Sequence, residues 1–231
     1  MRWSKWAIAA FVVAGLSGAL SAAQPAPAAP QARFIVVLDA AHGGEDAGGR
    51  FSNNQLEKNL TLAMSVRLRS LLGARGIQVV TTRESDATVD PDRRAEIANH
   101  AKAQACLSLH VTESGTGIHL FTSPLTPAAS TRFTAWKAVQ AAWVTRSLAL
   151  AGVLNSALQH AEMSVTLGRS SLPAVDSMSC PAVGVEIAPE RSADPGDNHE
   201  IISGVDDPDY QARVAAALAA ALVEWRTEAH P

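Results

Sequence analysis

Phe34-Ile35-Val36-Val37-Leu38 is an unbroken apolar run that empties into Asp39-Ala40-Ala41-His42-Gly43-Gly44. Apolar residues without alternation predict a strand covered on both faces, the condition of a parallel sheet between helices. The glycine-rich turn places a histidine at the carboxyl end of that strand, where ligands of such sheets gather. The rest of the chain is read outward from this strand.

Downstream, Leu56, Leu60, Met64, Leu68 and Leu71 recur at helical spacing, and Gly73 and Gly76 end the helix. Ile77 to Thr82 (IQVVTT) is β-branched and predicts a second strand. Asp90 and Pro91 are the cap and first residue of a helix running to about Ala103. Ala105 to Val111 (ACLSLHV) predicts a third strand, and Gly117 to Thr122 (GIHLFT) a fourth at an edge or in a hairpin. Thr131 to His160 is Ala- and Leu-rich and predicts one long helix, followed by a strand over Ala182 to Ile187 (AVGVEI). Ala188 to Val205 reads as irregular loop, and Pro208 opens a last Ala-rich helix to about Trp225. Strands alternating with helices predict an α/β domain, a mostly parallel twisted sheet flanked by helices.

The first residues read differently. Arg2 and Lys5 precede an apolar run from Ala7 to Leu20, and Ser21-Ala22-Ala23 is a small-residue cleavage pattern. That run is shorter than the roughly 20 residues of a spanning helix. The expectation is therefore a signal peptide over 1–23, a Pro/Ala linker over 24–32 (QPAPAAPQA) and one domain over 33–231, periplasmic or secreted, with no stable membrane span after cleavage. A net charge of −3 and no basic stripe exclude nucleic acid as a partner, and a monomer is expected. Cys106 and Cys180 fit no metal-ligand spacing; each lies at the start of a predicted strand, as half of a bridge or as a small buried thiol.

Four chemistry-bearing residues fall on the same predicted rim. His42 follows the first strand, His110 ends the third, Glu186 lies near the end of the strand over 182–187, and Glu57 sits in the first turn of the first long helix. Two imidazoles and a carboxylate make a catalytic zinc shell with an open position for water. A carboxylate outside that shell is suited to move the proton of that water. A carboxylate in an apolar strand such as Glu186 is costly to bury without a partner or a task. Asp39 and Asp46 flank His42, either as its orienting partner or as turn formers. Arg83 and Asp86 read as a structural pair, His119 as structural, and His100 and His160 as exposed helix residues.

Leu38-Asp39-Ala40-Ala41-His42-Gly43-Gly44-Glu45-Asp46-Ala47-Gly48 resembles the opening motif of the zinc-dependent N-acetylmuramoyl-L-alanine amidases, Asp-Pro-Gly-His-Gly-Gly-x-Asp-x-Gly after a strand. Leu56-Glu57-Lys58-Asn59 is similar to that family's Glu-Lys helix start, Thr82-Arg83-Glu84-Ser85-Asp86 with Arg93-Arg94 and Ala98-Asn99 to its next segment, Ser108-Leu109-His110 to its strand end, and Cys180 to Glu186 to its Pro-Ala-Val-Leu-Val-Glu segment. The resemblance implies one zinc ion per chain held by His42, Glu57 and His110, with Glu186 as general base and acid. It also implies hydrolysis of the amide between N-acetylmuramic acid and L-alanine of peptidoglycan; no activator is identified from it. The chain departs from the family pattern at Ala40-Ala41 (Pro-Gly), at Val111-Thr112-Glu113 (Ala-Asn after the histidine) and at Ile187-Ala188-Pro189 (Gly-Phe-Leu). These departures sustain an alternative expectation, a catalytically weak wall-binding or regulatory relative, alongside a zinc peptidase acting within the stem peptide.

Overall fold

The computed structural model describes residues 33–131, 134–192 and 194–229. The expected signal peptide and linker lie outside the described residues. Six strands form one sheet in the order β2-β1-β3-β6-β4-β5: β1 is Ile35–Ala40, β2 Gln78–Thr81, β3 Ala105–Val111, β4 Ile118–Thr122, β5 Val165–Arg169 and β6 Ala182–Ile187. Neighbours run parallel except β4 and β6, which are antiparallel.

Helices cover both faces. On one, α1 (Glu57–Gly73), α3 (Val144–His160) and α5 (Pro208–Ala229) pack on Val36, Leu38, Leu107, Leu109, Val183 and Val185. On the other, α2 (Pro91–Ala101) and the short α4 (Pro173–Asp176) bury Ala95, Ala98 and Val175 against Val37, Cys106 and Ala182. This alternation along β1, β3 and β6 explains their continuous apolar sequences, because both sides of each strand face a core. In α1 the buried stripe runs through Leu60, Met64 and Leu68 to Leu72, with Leu71 only partly buried. In α2 the Asp90 carboxylate accepts from Arg93 N at 2.9 Å, and Pro91 occupies the first turn.

Three expectations are corrected. The segment 131–160 is not one helix: a 3₁₀ turn over Trp136–Ala142 gives way to α3 at Trp143. Fully buried Gln140 redirects the chain there, donating to the carbonyls of Val175, Met178 and Cys180 and accepting from Ser147 Oγ. The strand over 118–122 is not at the edge, because β5 pairs alongside it. The 188–205 segment contains a small antiparallel pair, β7 (Glu190–Arg191) and β8 (Ile201–Ser203).

Cys106 and Cys180 are bridged, with Cα atoms 6.3 Å apart. The disulfide ties β3 to the residues entering β6 at the amino ends of these strands.

Candidate metal centre and catalytic rim

The carboxyl ends of β1, β3 and β6 share one rim with the start of α1. Parallel register puts His110 beside Glu186, and the antiparallel pairing of β4 sets His119 on the other side of Glu186. Residues directly opposite in neighbouring strands point to the same face, so His110, Glu186 and His119 form one row.

The backbone turns sharply after β1, with His42, Gly43 and Gly44 at φ of 62, 131 and 61°. Two arginines hold this turn through its carbonyls. Arg94 donates to the carbonyls of Ala40 and His42, at 2.7 Å each, and to Asp39 Oδ1 at 2.7 Å. Arg83 donates from Nε to Ala40 O at 2.9 Å, and from Nη2 to Ala41 O at 3.0 Å and Lys58 O at 2.6 Å. Burial, and then the neighbouring Arg94 charge, lower the Arg83 pKa. Asp39 is also buried and accepts from Thr82 and Ser108 hydroxyls, so its lone pairs are occupied from three segments. Asp86, below the usual carboxylate range through hydrogen bonds from Lys58 and Gly44 N, fastens α1 to the far side of the turn. Arg83 and Asp86 are thus not partners: Lys58 takes Asp86, and Arg83 serves the backbone.

Glu57 enters from α1. Its Oε1 accepts from Val111 N at 3.2 Å and lies 3.1 Å from His110 Nδ1; its Oε2 accepts from Gly49 N at 2.9 Å and lies 3.1 Å from His42 Nε2. One ligand atom from each of these three residues lies within 4.8 Å of the others. The imidazole rings stand edge to face, 5.5 Å between centroids. Burial pushes the Glu57 carboxyl up, yet hydrogen bonds from His110, His42 and Gly49 N outweigh it and hold the group far below the usual range. The Glu57 hydrogen bond, assisted by Asp46 and opposed by burial, raises His42. Asp46 is the orienting partner, with Oδ2 at 2.8 Å from His42 Nδ1, and this contact lowers its own pKa. Asp39 does not reach that ring; it belongs to the buried arginine network.

Two openings flank the cluster. One, of about 220 Å³, is lined by Asp39, His42, Pro91, Arg94, His110 and Leu172 among others. The second, of about 360 Å³, is lined by Arg50, Phe51, Glu57, His110, Glu113 and Glu186 among others. His110 forms the wall between them. Among the described residues no hydrogen bond or ion pair engages the Glu186 side chain, which faces the second opening. His100 and His160 are exposed, each with Nδ1 on a carbonyl of its own helix.

A family model described as N-acetylmuramoyl-L-alanine amidase matches residues 36–224, a span containing every residue of this rim. The chain belongs to the N-acetylmuramoyl-L-alanine amidase family. It is 33% identical over 144 residues to an endolysin of Bacillus phage SPP1, covering 61% of this chain and 52% of that protein. It is 33% identical over 96 residues to the germination-specific N-acetylmuramoyl-L-alanine amidase of Bacillus subtilis, covering 36% of this chain and 40% of that protein. The chain therefore spans about half or less of these curated relatives. The fold is shared with the N-acetylmuramyl-L-alanine amidase Ami1 of Mycobacterium smegmatis, with a TM-score of 0.65 at 20% identity, covering 84% of this chain and 97% of that one.

Against the amidase-family pattern, the Ala40-Ala41 departure leaves the turn intact. The left-handed backbone falls on His42, Gly43 and Gly44, and neither alanine has a positive φ. What the turn uses from Ala40 and Ala41 is their carbonyls, which every residue supplies. Glu113, the second departure, accepts from Ser52 N and Oγ at 2.7 and 2.8 Å and so pins the 50–55 loop beside the site. Sequence reasoning missed Arg83 and Arg94 as supports of the His42 turn; the available signals were their place in the segment that resembles the family and, for Arg94, a charged residue on the same helical face as Ala98.

Proposed function

We propose that this chain is a zinc-dependent hydrolase that cleaves the amide between the lactyl group of N-acetylmuramic acid and the L-alanine of the peptidoglycan stem peptide. It acts outside the cytoplasm, in wall turnover or cell separation. One observation carries the reading: His42, Glu57 and His110 converge within 4.8 Å while Glu186 stands in register beside His110, in a member of this family. The disulfide supports an oxidising compartment. Among the described residues no helix is long and apolar enough to cross a membrane.

The donor set suits zinc, which favours imidazole nitrogen with carboxylate oxygen and takes three protein ligands at catalytic sites. His42 Nε2, the Glu57 carboxylate and His110 Nδ1 would hold it. Bound zinc supplies Lewis acidity, polarising an amide carbonyl and acidifying an attacking water. Asp46 accepts from His42 Nδ1 and fixes the ring, so that on metal binding Nε2 would give up its proton and serve as the donor atom. Gly49 N and Val111 N hold the two Glu57 oxygens in place. Glu186, without a side-chain partner among the described residues and facing the second opening, takes the proton of the attacking water and returns it to the leaving nitrogen of L-alanine.

The test measures zinc content and muropeptide release together, for wild type beside Glu186→Ala. The expected result is one zinc per chain in both and free stem peptide from wild type only. Zinc without release by wild type would favour a wall-binding or regulatory protein, products cut within the peptide a zinc peptidase, and the absence of zinc would overturn the mechanism.

A further inference from the structure

The second opening contains one cationic side chain among three carboxylates. Arg50 lines it together with Glu57, Glu113 and Glu186. Among the described residues no hydrogen bond or ion pair engages the Arg50 guanidinium. Its backbone, by contrast, is fastened on both sides. Before it, Gly49 N donates to Glu57 Oε2, and Gly49 O accepts from Glu57 N at 2.8 Å. Arg50 itself bridges to Leu56. After it, Phe51 is buried and donates to Gln55 O, and Ser52 is gripped twice by Glu113. The Ser52 hydrogen bonds hold the Glu113 carboxyl below the usual range, so this grip stays ionic. Glu113 is thereby occupied in loop structure.

A cation on a pinned loop that, like Glu186 in the same opening, has no side-chain partner among the described residues is organised for an anion brought by the substrate. Resting on the amidase reading above, we propose that Arg50 is a specificity-determining residue that binds the free α-carboxylate of the second residue of the stem peptide. In a stem whose second residue is γ-linked D-glutamate, that carboxylate lies two positions beyond the bond cut. At 3.3–3.6 Å per extended residue this is about 7 Å from the scissile nitrogen, a span that a cavity of about 360 Å³ accommodates. The peptide arm thus lies on the Arg50–Glu186 side of His110. The planar guanidinium meets the carboxylate through two parallel hydrogen bonds, which the corresponding carboxamide does not match.

The experiment uses the full chain with two muramoyl tripeptides that differ only at the second residue, D-glutamate against its α-carboxamide, D-isoglutamine. Wild type is expected to prefer the carboxylate by about 10- to 100-fold in kcat/KM. Arg50→Gln is expected to lose that preference, its kcat/KM falling far more on the carboxylate substrate than on the carboxamide, and Arg50→Lys to recover only part of it. Binding of the released peptides to zinc-free protein, read by NMR, should show the same preference and the same loss. Equal use of both substrates by wild type, or a preference unchanged in Arg50→Gln, overturns the role of Arg50 and leaves the amidase reading standing. Cleavage of neither substrate by zinc-loaded wild type overturns the amidase reading itself, and the inference with it.

Discussion

Asp46 Oδ2 lies 2.8 Å from Nδ1 of His42, on the opposite side of the ring from Glu57, whose Oε2 lies 3.1 Å from Nε2. The imidazole is therefore clamped at both nitrogens by carboxylates four and fifteen positions along the chain. Removing the outer clamp leaves the donor atom in place but lets the ring rotate and change tautomer. Asp46→Ala is expected to weaken zinc binding about 10- to 100-fold with little change in melting temperature. Competition with a chelator of known affinity checks it; unchanged affinity would deny Asp46 any orienting role.

Gly48 is the packing floor of the same cluster. At φ +64°, a Cβ there would meet His42 Cδ2 at 2.6 Å and Glu57 Oε2 at 2.7 Å. Gly48→Ala should displace one of these side chains and sharply reduce zinc content. Gly76→Ala supplies the control, since Gly76 has φ +71° but its Cβ would meet nothing within 4 Å. That variant should lose about 1–2 kcal/mol of stability and keep its zinc. Equal zinc loss in both would mean that backbone strain, not crowding of the ligands, is responsible.

Arg94 and Asp39 form a buried pair at 2.7 Å. Arg94→Met strands the Asp39 charge and should cost about 3–5 kcal/mol in chemical denaturation. Adding Asp39→Leu to it should restore much of that stability. Zinc affinity should not return in the double variant, because the His42 carbonyl has still lost the Arg94 donor, while Ala40 O keeps only Arg83 Nε. Recovery of both properties together would show that Arg94 acts on the fold alone.

The Cys106–Cys180 bridge closes a separation of 74 residues. Cys106→Ala with Cys180→Ala should lower stability by about 2–4 kcal/mol, read by denaturant unfolding under oxidising conditions, with zinc stoichiometry unaltered. A double variant as stable as wild type would mean that the α2–α4 side of the sheet is already held by its packing.

Legibility followed the physics of burial. β1, β3 and β6 are readable because covering both faces leaves no polar position to obscure the run, and His42, His110 and Glu186 are readable because parallel strands deliver their ends to one rim. Glu57 is placed by the helix that follows β1. β5 escaped notice because it is mostly exposed, with Leu167 60% exposed and Gly168 inside it. The break at Trp143 was invisible because the cause, Gln140, acts on carbonyls some 35 to 40 residues away. The roles of Arg83 and Arg94 were hidden for the same reason: backbone carbonyls carry no side-chain signature, so a residue that serves them has no recognisable partner in the sequence.

β3 carries Cys106 near its start and His110 near its end, about 13 Å apart at the rise of an extended strand. One strand thus separates two kinds of vulnerability. A reductant attacks the covalent brace at the foot of the sheet, and a chelator attacks the ionic cluster at its crest, with the apolar middle of the strand between them. Damage at either end should leave the other standing, so loss of metal need not announce a misfolded protein, and a scrambled Cys106 thiol stands four residues of strand away from the His110 imidazole.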